Sequence, residues 1–209
     1  MNVPNALTLL RIFIVPLLVA ALVQEDLSIR WNGTVWLTND LFALTVFLIA
    51  AITDMLDGYL ARKWGQITTV GTLLDPIADK LLISAALIAL VQVRRIPAWI
   101  AILLIAREFA VSGLRSIAAA EGYTISASEL GKTKMISQVA GVAVILLSIR
   151  WPQFTQFAMF CIWGAMLFSL MSAVDYFWKF WRKVDDKVKQ RRRTELLLLD
   201  RRENRNPTI

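Results

Sequence analysis

No histidine occurs in the 209 residues, and the only cysteine is Cys161. The first absence removes every mechanism built on imidazole, from Ser-His-Asp triads to His-ligated zinc. The second removes a disulfide framework, because Cys161 has no partner within the chain. Charge is also scarce: Asp, Glu, Lys and Arg make up 19% of residues, against about 25% in soluble domains. Apolar mass takes their place. Hydrophobic residues reach 57%, with eight Trp and ten Phe, and mean hydropathy is +0.57. Disorder, a collagen-like repeat and a nucleic-acid-binding arm are excluded as whole-chain descriptions. The composition predicts an all-α integral membrane protein.

A helical span needs roughly 20 mostly apolar residues. Six candidate spans are present, at 8–23, 41–60, 73–93, 97–120, 133–149 and 154–181. The first lacks the charged leader and the small-residue cleavage site of a secretory signal, so it is expected to be a mature span. With both termini inside, only Arg30, Arg94, Arg95 and Arg150 of the 23 basic residues fall on the outer side. That asymmetry supports an even number of spans, and Arg94-Arg95 runs against it. Residues 1–182 are therefore expected to form one six-helix membrane domain.

The formal net charge of +7 is concentrated near the end of the chain. Eleven of the basic residues lie from Lys179 to Arg205, with five acids among them. A basic segment after an apolar span suits a cytoplasmic anionic lipid surface, and it equally suits a solvated tail. Residues 183–209 are expected to be a flexible cytoplasmic tail without chemistry of their own.

Four carboxylates break the apolar pattern. Asp54 and Asp57 sit in the second half of the second run, and Asp75 and Asp79 open the third. Each charged group inside a bilayer costs roughly 2.5–3.5 kcal/mol on insertion scales. On helices, spacings of three and four put each pair on one face, so two antiparallel helices can aim all four at one point. Nearby cover is limited to Arg62, Lys63 and Lys80. Carboxylates paired with those cations at helix ends would explain one or two such acids, but not four. Convergence of four points to divalent cations, and oxygen ligands favour Mg²⁺ or Mn²⁺. Two such ions about 3.5–4 Å apart suit phosphoryl chemistry. Gly58, Ala61 and Gly71 leave room beside the acids for a ligand, or for close helix packing.

The pattern Asp54-x2-Asp57-Gly58-x2-Ala61-Arg62-x8-Gly71-x3-Asp75-x3-Asp79 resembles the signature of the CDP-alcohol phosphatidyltransferases. All eight positions match across 26 residues. Six spans and the Pro4-Asn5-x2-Thr8 opening extend the similarity over most of the chain. The resemblance implies transfer of a phosphatidyl group from CDP-diacylglycerol to an alcohol, with release of CMP. It implies that Asp54, Asp57 and Asp75 bind one metal, and that Asp75 and Asp79 serve a second. By the same resemblance, Asp79 is the general base, and Gly58, Ala61, Arg62 and Gly71 line the nucleotide site. Thr68, Asn5 and Thr8 are further nucleotide candidates.

The acceptor alcohol is read from the second half. Arg107, Glu108 and Arg115 lie on the inner half of the fourth span, and Lys132, Lys134 and Gln138 open the fifth. A phosphorylated acceptor would suit such a basic pocket, because Arg pairs with phosphate oxygens as a fork. Snorkelling at helix ends would explain most of these residues, Lys134 above all. Arg107 lies deeper and is expected to have an internal partner. Arg107-Glu108-Phe109, Leu114-Arg115 and Gly131-Lys132-Thr133-Lys134 resemble the phosphatidylglycerophosphate synthase branch of the family, which uses sn-glycerol 3-phosphate. The alternative within the family is phosphatidylglycerol as acceptor, as in cardiolipin synthases.

Asp175 is expected at the interface or in an interhelical hydrogen bond, the Trp178–Trp181 cluster in an aromatic belt, and Cys161 in packing. An ion transporter using intramembrane carboxylates would need acids spread across the bilayer. Here they cluster at one depth. A purely structural scaffold gives no reason for them at all. The expected partners are CDP-diacylglycerol, glycerol 3-phosphate and the lipid bilayer, with no nucleic acid and a homodimer by family analogy. The expected location is a bacterial inner membrane, crossed several times, with both termini cytoplasmic.

Overall fold

The computed structural model describes residues 3–24, 29–31, 34–64, 69–122 and 129–205. Within those helical ranges, side chains near both ends of several helices, 55–64 and 69–76 among them, also lie outside what is described. Six α-helices follow one another: α1 (Val3–Val23), α2 (Asn39–Trp64), α3 (Thr69–Gln92), α4 (Ala98–Ala120), α5 (Glu129–Arg150) and α6 (Thr155–Arg205). All six apolar runs read from the sequence are helical. Pro16 stands inside α1 with its ring exposed, so the carbonyl it frees faces outward rather than into the core.

Two features add to the sequence reading of an all-α chain. A two-stranded ribbon, β1 (Ile29–Trp31) and β2 (Thr34–Leu37), stands in the connection between α1 and α2. Its strands pair antiparallel, Trp31 opposite Thr34 and Arg30 opposite Val35, with an irregularity at Ile29. The segment is rich in β-branched and aromatic residues, which favour a pleated strand. The second is in the tail, where α6 runs unbroken to Arg205 over 51 residues. The segment past Trp181 has no Gly or Pro until Pro207 and is built largely of Lys, Arg, Glu and Leu, all good helix formers. It extends about 36 Å beyond Trp181.

The connections are short and locally determined. After α3, the Arg94 amide donates to Val91 O at 3.0 Å and the Arg95 amide to Leu90 O at 2.8 Å. This double hydrogen bond is the Schellman pattern of a helix C-terminus. It places Arg94 in the left-handed region, at φ 56°. Pro97 then precedes α4 in an extended conformation. At the other end of α4, Gly122 takes φ +75°, and its amide donates to Ala119 O. Pro152 opens a single 3₁₀ turn, Pro152–Phe154, between α5 and α6.

One core runs through the bundle. Leu18 of α1, Phe47 of α2, Leu87 of α3, Ile100 and Leu104 of α4, Ile145 of α5 and Ile162 of α6 are all sealed from solvent. Helix α1 packs against both α2 and α3, α2 also meets α5, and α6 lies along α4 and α5. Gly141 lies where α5 meets α6: a Cβ there would stand 3.4 Å from Ile162 Cδ1 and 3.7 Å from the Cys161 carbonyl, ordinary van der Waals contact, so the approach does not depend on glycine. Cys161 itself is half-buried in that contact.

Large apolar side chains are exposed on every helix: Phe13 and Phe160 are each 75% exposed, Ile136 67% and Ile102 63%. Single exposed apolar side chains are ordinary on soluble proteins, but a continuous apolar coat is not. Among the described residues, α6 alone is long and apolar enough to cross a membrane. Shorter apolar stretches are Thr8–Val23, Lys80–Gln92 and Met135–Arg150.

Candidate active site

Helix α2 ends at Trp64 and α3 begins at Thr69, so the intervening connection is short and both helix ends lie at one end of the bundle. Asp54, Asp57, Gly58, Ala61 and Arg62 fall in the last turns of α2, and Gly71, Asp75 and Asp79 in the first turns of α3. Their depths match. Asp54 and Asp79 are each about 15 Å from the connected ends, and Asp57 and Asp75 are about 9–10 Å away. The helical spacing keeps each pair on one face. Of the four carboxylates, only the Asp54 side chain is among those described. The side chains of Asp57, Gly58, Ala61, Arg62, Gly71, Asp75 and Asp79 lie outside, as do those of Asn5, Lys132 and Lys134 and the whole of Thr68. Among the described residues, no group of three or more His, Cys, Asp or Glu converges.

The third wall of this end is α1. Thr8 and Arg11 stand one turn apart on one face of α1, and both are buried. Arg11 Nη1 lies 2.5 Å from Asp54 Oδ1, with the two side chains 1% and 17% exposed. A guanidinium sealed in an apolar core is costly without a partner, and a carboxylate at this depth carries the same penalty. Each therefore answers the other's desolvation. Arg11 lies on the helix that packs against both acid-bearing helices.

Helix α4 supplies the next group. Arg107 is buried and turned toward α6: Nε donates to the Ser169 carbonyl at 3.0 Å and Nη2 to Ser172 Oγ at 2.8 Å. Its Nη1 donates to Glu108 Oε2 at 3.2 Å. The expected internal partner of Arg107 is thus α6 together with Glu108. Eight residues later, Arg115 is exposed and lies over the Tyr176 ring, 5.8 Å from its centre. Arg107→Met should remove the tie between α4 and α6 and cost about 1.5–3 kcal/mol. Arg115→Met should cost only about 0.5–1 kcal/mol, as befits an exposed cation–π contact. Thermal unfolding in detergent would show whether that order holds.

Between α3, α4 and α5 lies a cavity of about 20 Å³, lined by Lys80, Ser84, Glu108 and Gln138 among others. It is large enough for one water. Lys80 follows Asp79 directly, so polar groups of α4 and α5 meet α3 just beside the candidate base. Among the described residues Asp175 bonds within its own helix rather than to another. Its Oδ2 accepts from Lys179 Nζ at 2.7 Å, one turn along the same helix.

Compared with known families, residues 1–171 match the model of CDP-alcohol phosphatidyltransferase. The chain belongs to the CDP-alcohol phosphatidyltransferase family. A relative from Bacillus subtilis, named CDP-diacylglycerol–glycerol-3-phosphate 3-phosphatidyltransferase, is 40% identical over 188 residues, covering 86% of this chain and 95% of its own. One of the same name from Rickettsia felis is 31% identical over 179 residues, covering 84% and 93%. A Mycobacterium tuberculosis protein named probable phosphatidylglycerophosphate synthase is 35% identical over 175 residues, covering 84% and 79%.

For a CDP-alcohol phosphatidyltransferase, the buried residue at the candidate site that the sequence reading passes over is Arg11, paired with Asp54. Its signal was present, since Arg11 lies inside the apolar run 8–23, one turn from its start, where a charge needs either the interface or a partner. Counted only as one of many inner-side charges, it lost its position.

Proposed function

We propose that this member of the CDP-alcohol phosphatidyltransferase family crosses a bilayer six times and transfers the phosphatidyl group of CDP-diacylglycerol to sn-glycerol 3-phosphate. The products are phosphatidylglycerophosphate and CMP. The apolar coat of the bundle supports the membrane reading, and the connected ends of α2 and α3 are proposed to face the cytoplasm. The observation that carries the activity is the placement of the eight signature positions on those two ends, at matched depths, with Asp54 gripped by Arg11. The names of the relatives support glycerol 3-phosphate as the acceptor.

The donor set fits hard divalent cations, because every candidate ligand offers carboxylate oxygen and none offers sulfur or imidazole. Asp54, Asp57 and Asp75 would hold one Mg²⁺ or Mn²⁺, and Asp75 and Asp79 a second. When bound, the two ions supply charge neutralisation for the pyrophosphate and for the departing CMP. The protein's own residues do the rest. Arg11 engages one oxygen of Asp54 and so fixes the direction in which the other points. Asp79 accepts the proton of the acceptor hydroxyl as that oxygen bonds to the phosphorus bearing diacylglycerol. The bond from this phosphorus to the bridging oxygen breaks, and CMP leaves with that oxygen. Gly58, Ala61, Arg62, Gly71, Thr68, Asn5 and Thr8 would receive the nucleotide. Arg115, Lys132 and Lys134, with the N–H groups that Arg107 has left, would take the acceptor's phosphate.

The test is a lipid-product assay on detergent-purified protein with CDP-diacylglycerol, Mg²⁺ or Mn²⁺ and labelled glycerol 3-phosphate. Phosphatidylglycerol and inositol phosphate are offered in parallel. Metal-dependent phosphatidylglycerophosphate is the expected product. Product from another acceptor alone would overturn the acceptor pocket, and absence of CMP release with every acceptor would overturn the transfer reaction.

A further inference from the structure

The other end of the bundle holds a second polar site, about 21 Å along α2 from Asp54. There the last turns of α1 and α3, the first turn of α2 and the end of α5 surround an open cavity of about 720 Å³. Thr38, Asn39, Asp40, Gln92, Arg94 and Arg95 supply its polar lining. Nothing in the transfer reaction uses these residues.

Three observations point to an anion in this cavity. The first is backbone strain. Arg94 occupies the left-handed position of a Schellman turn, where glycine is strongly preferred. A side chain is kept there against the conformational cost, and that side chain is a guanidinium at the cavity wall. The second is charge. Arg94 and Arg95 are adjacent, and Arg150 stands near enough to act on Asp40. Asp40 is the one acid lining the cavity among the described residues. Burial lifts its carboxyl above the usual range, while Arg95 and then Arg150 pull it back. Among the described residues one carboxylate does not balance these guanidinia, and their place at this end opposes the normal bias of basic residues. The third is an unmet donor: Thr38 Oγ1 is buried and has no partner among the described residues.

We propose that this cavity binds the phosphate of an anionic phospholipid headgroup, with Arg94 and Arg95 as its anchors. Two guanidinium forks match phosphate oxygens. Hydroxyl and amide groups of Thr38, Asn39 and Gln92 suit the remaining oxygens of a phosphodiester. The ends of apolar helices lie at headgroup depth, so a lipid reaches the cavity without leaving its leaflet.

The test uses the full-length protein in a neutral detergent, titrated with phosphatidylglycerol, with phosphatidylcholine or with inorganic phosphate. Retained lipid is read by native mass spectrometry, and the unfolding temperature is followed in parallel. Phosphatidylglycerol should be retained and should raise the unfolding temperature, while phosphatidylcholine should not. Arg94→Gly should weaken phosphatidylglycerol binding about tenfold, yet unfold no earlier than the parent without lipid, because glycine relieves the turn. Arg95→Gln should weaken it similarly, and both variants should keep the basal rate of CMP release. Equal retention by the parent and both variants would overturn the site. A stabilisation by inorganic phosphate that matches or exceeds that of the lipid would overturn the headgroup as its source.

Discussion

Asp79→Asn is expected to lower turnover by about 10³-fold or more, in keeping with loss of a general base that is also a metal ligand. The exchange removes one ionisable oxygen and changes neither side-chain size nor the helical backbone of α3. Asp79 stands one turn beyond Asp75, at the inner limit of the candidate site. In the proposed mechanism it takes the proton of the acceptor hydroxyl. The variant should fold, insert and still bind CDP-diacylglycerol, since Asp54, Asp57 and Asp75 remain for the first ion. Asp54→Asn should behave differently, weakening substrate binding together with turnover. Rates of CMP release and calorimetric titration with CDP-diacylglycerol separate the two. An Asp79→Asn protein that retains more than about a tenth of the parent rate would remove Asp79 from the base's role. One that fails to bind CDP-diacylglycerol would make it a substrate ligand instead.

The four aspartates were legible in the sequence for a physical reason: a carboxylate in an apolar run is too costly to be incidental, and helical periodicity then fixes which ones share a face. The helices themselves were legible from run length. Tertiary partners were not. The depth of Arg107 and the adjacent Glu108 indicated an internal partner, but only packing names Ser169 and Ser172 of α6, more than sixty residues away. The helicity of the tail was not read because its charge was weighed and its helix propensity was not. Residues 183–205 contain neither Gly nor Pro. The ribbon of β1 and β2 had a local signal too, in Asn32-Gly33 between two β-branched and aromatic stretches, a strong pairing for a hairpin. It was overlooked beside the apolar runs on either side. Arg94 and Arg95 stood out only as an exception to the charge bias, and their strained turn becomes visible only in the structure.

Arg11→Gln should be among the most destabilising single changes in the bundle. It leaves the Asp54 carboxylate, 17% exposed, without the guanidinium 2.5 Å away. Removing one partner of a buried pair costs about 3–5 kcal/mol, because the remaining charge is stranded in a poorly polarisable medium. Arg11→Lys should fall between the two, keeping the charge but not the planar fork. If desolvation is the cause, Arg11→Leu combined with Asp54→Leu should recover most of the lost stability, since replacing both partners by apolar groups is often neutral. That double variant should nevertheless be inactive, because Asp54 is proposed to hold the first ion. Divalent cation gives an independent reading. Mn²⁺ should raise the unfolding temperature of Arg11→Gln more than that of the parent, by supplying positive charge to the same carboxylate. Thermal unfolding of the four proteins, with and without Mn²⁺, decides the matter. A double variant no more stable than Arg11→Gln would show that Arg11 supports the fold through packing against α1–α3 rather than by answering the charge of Asp54.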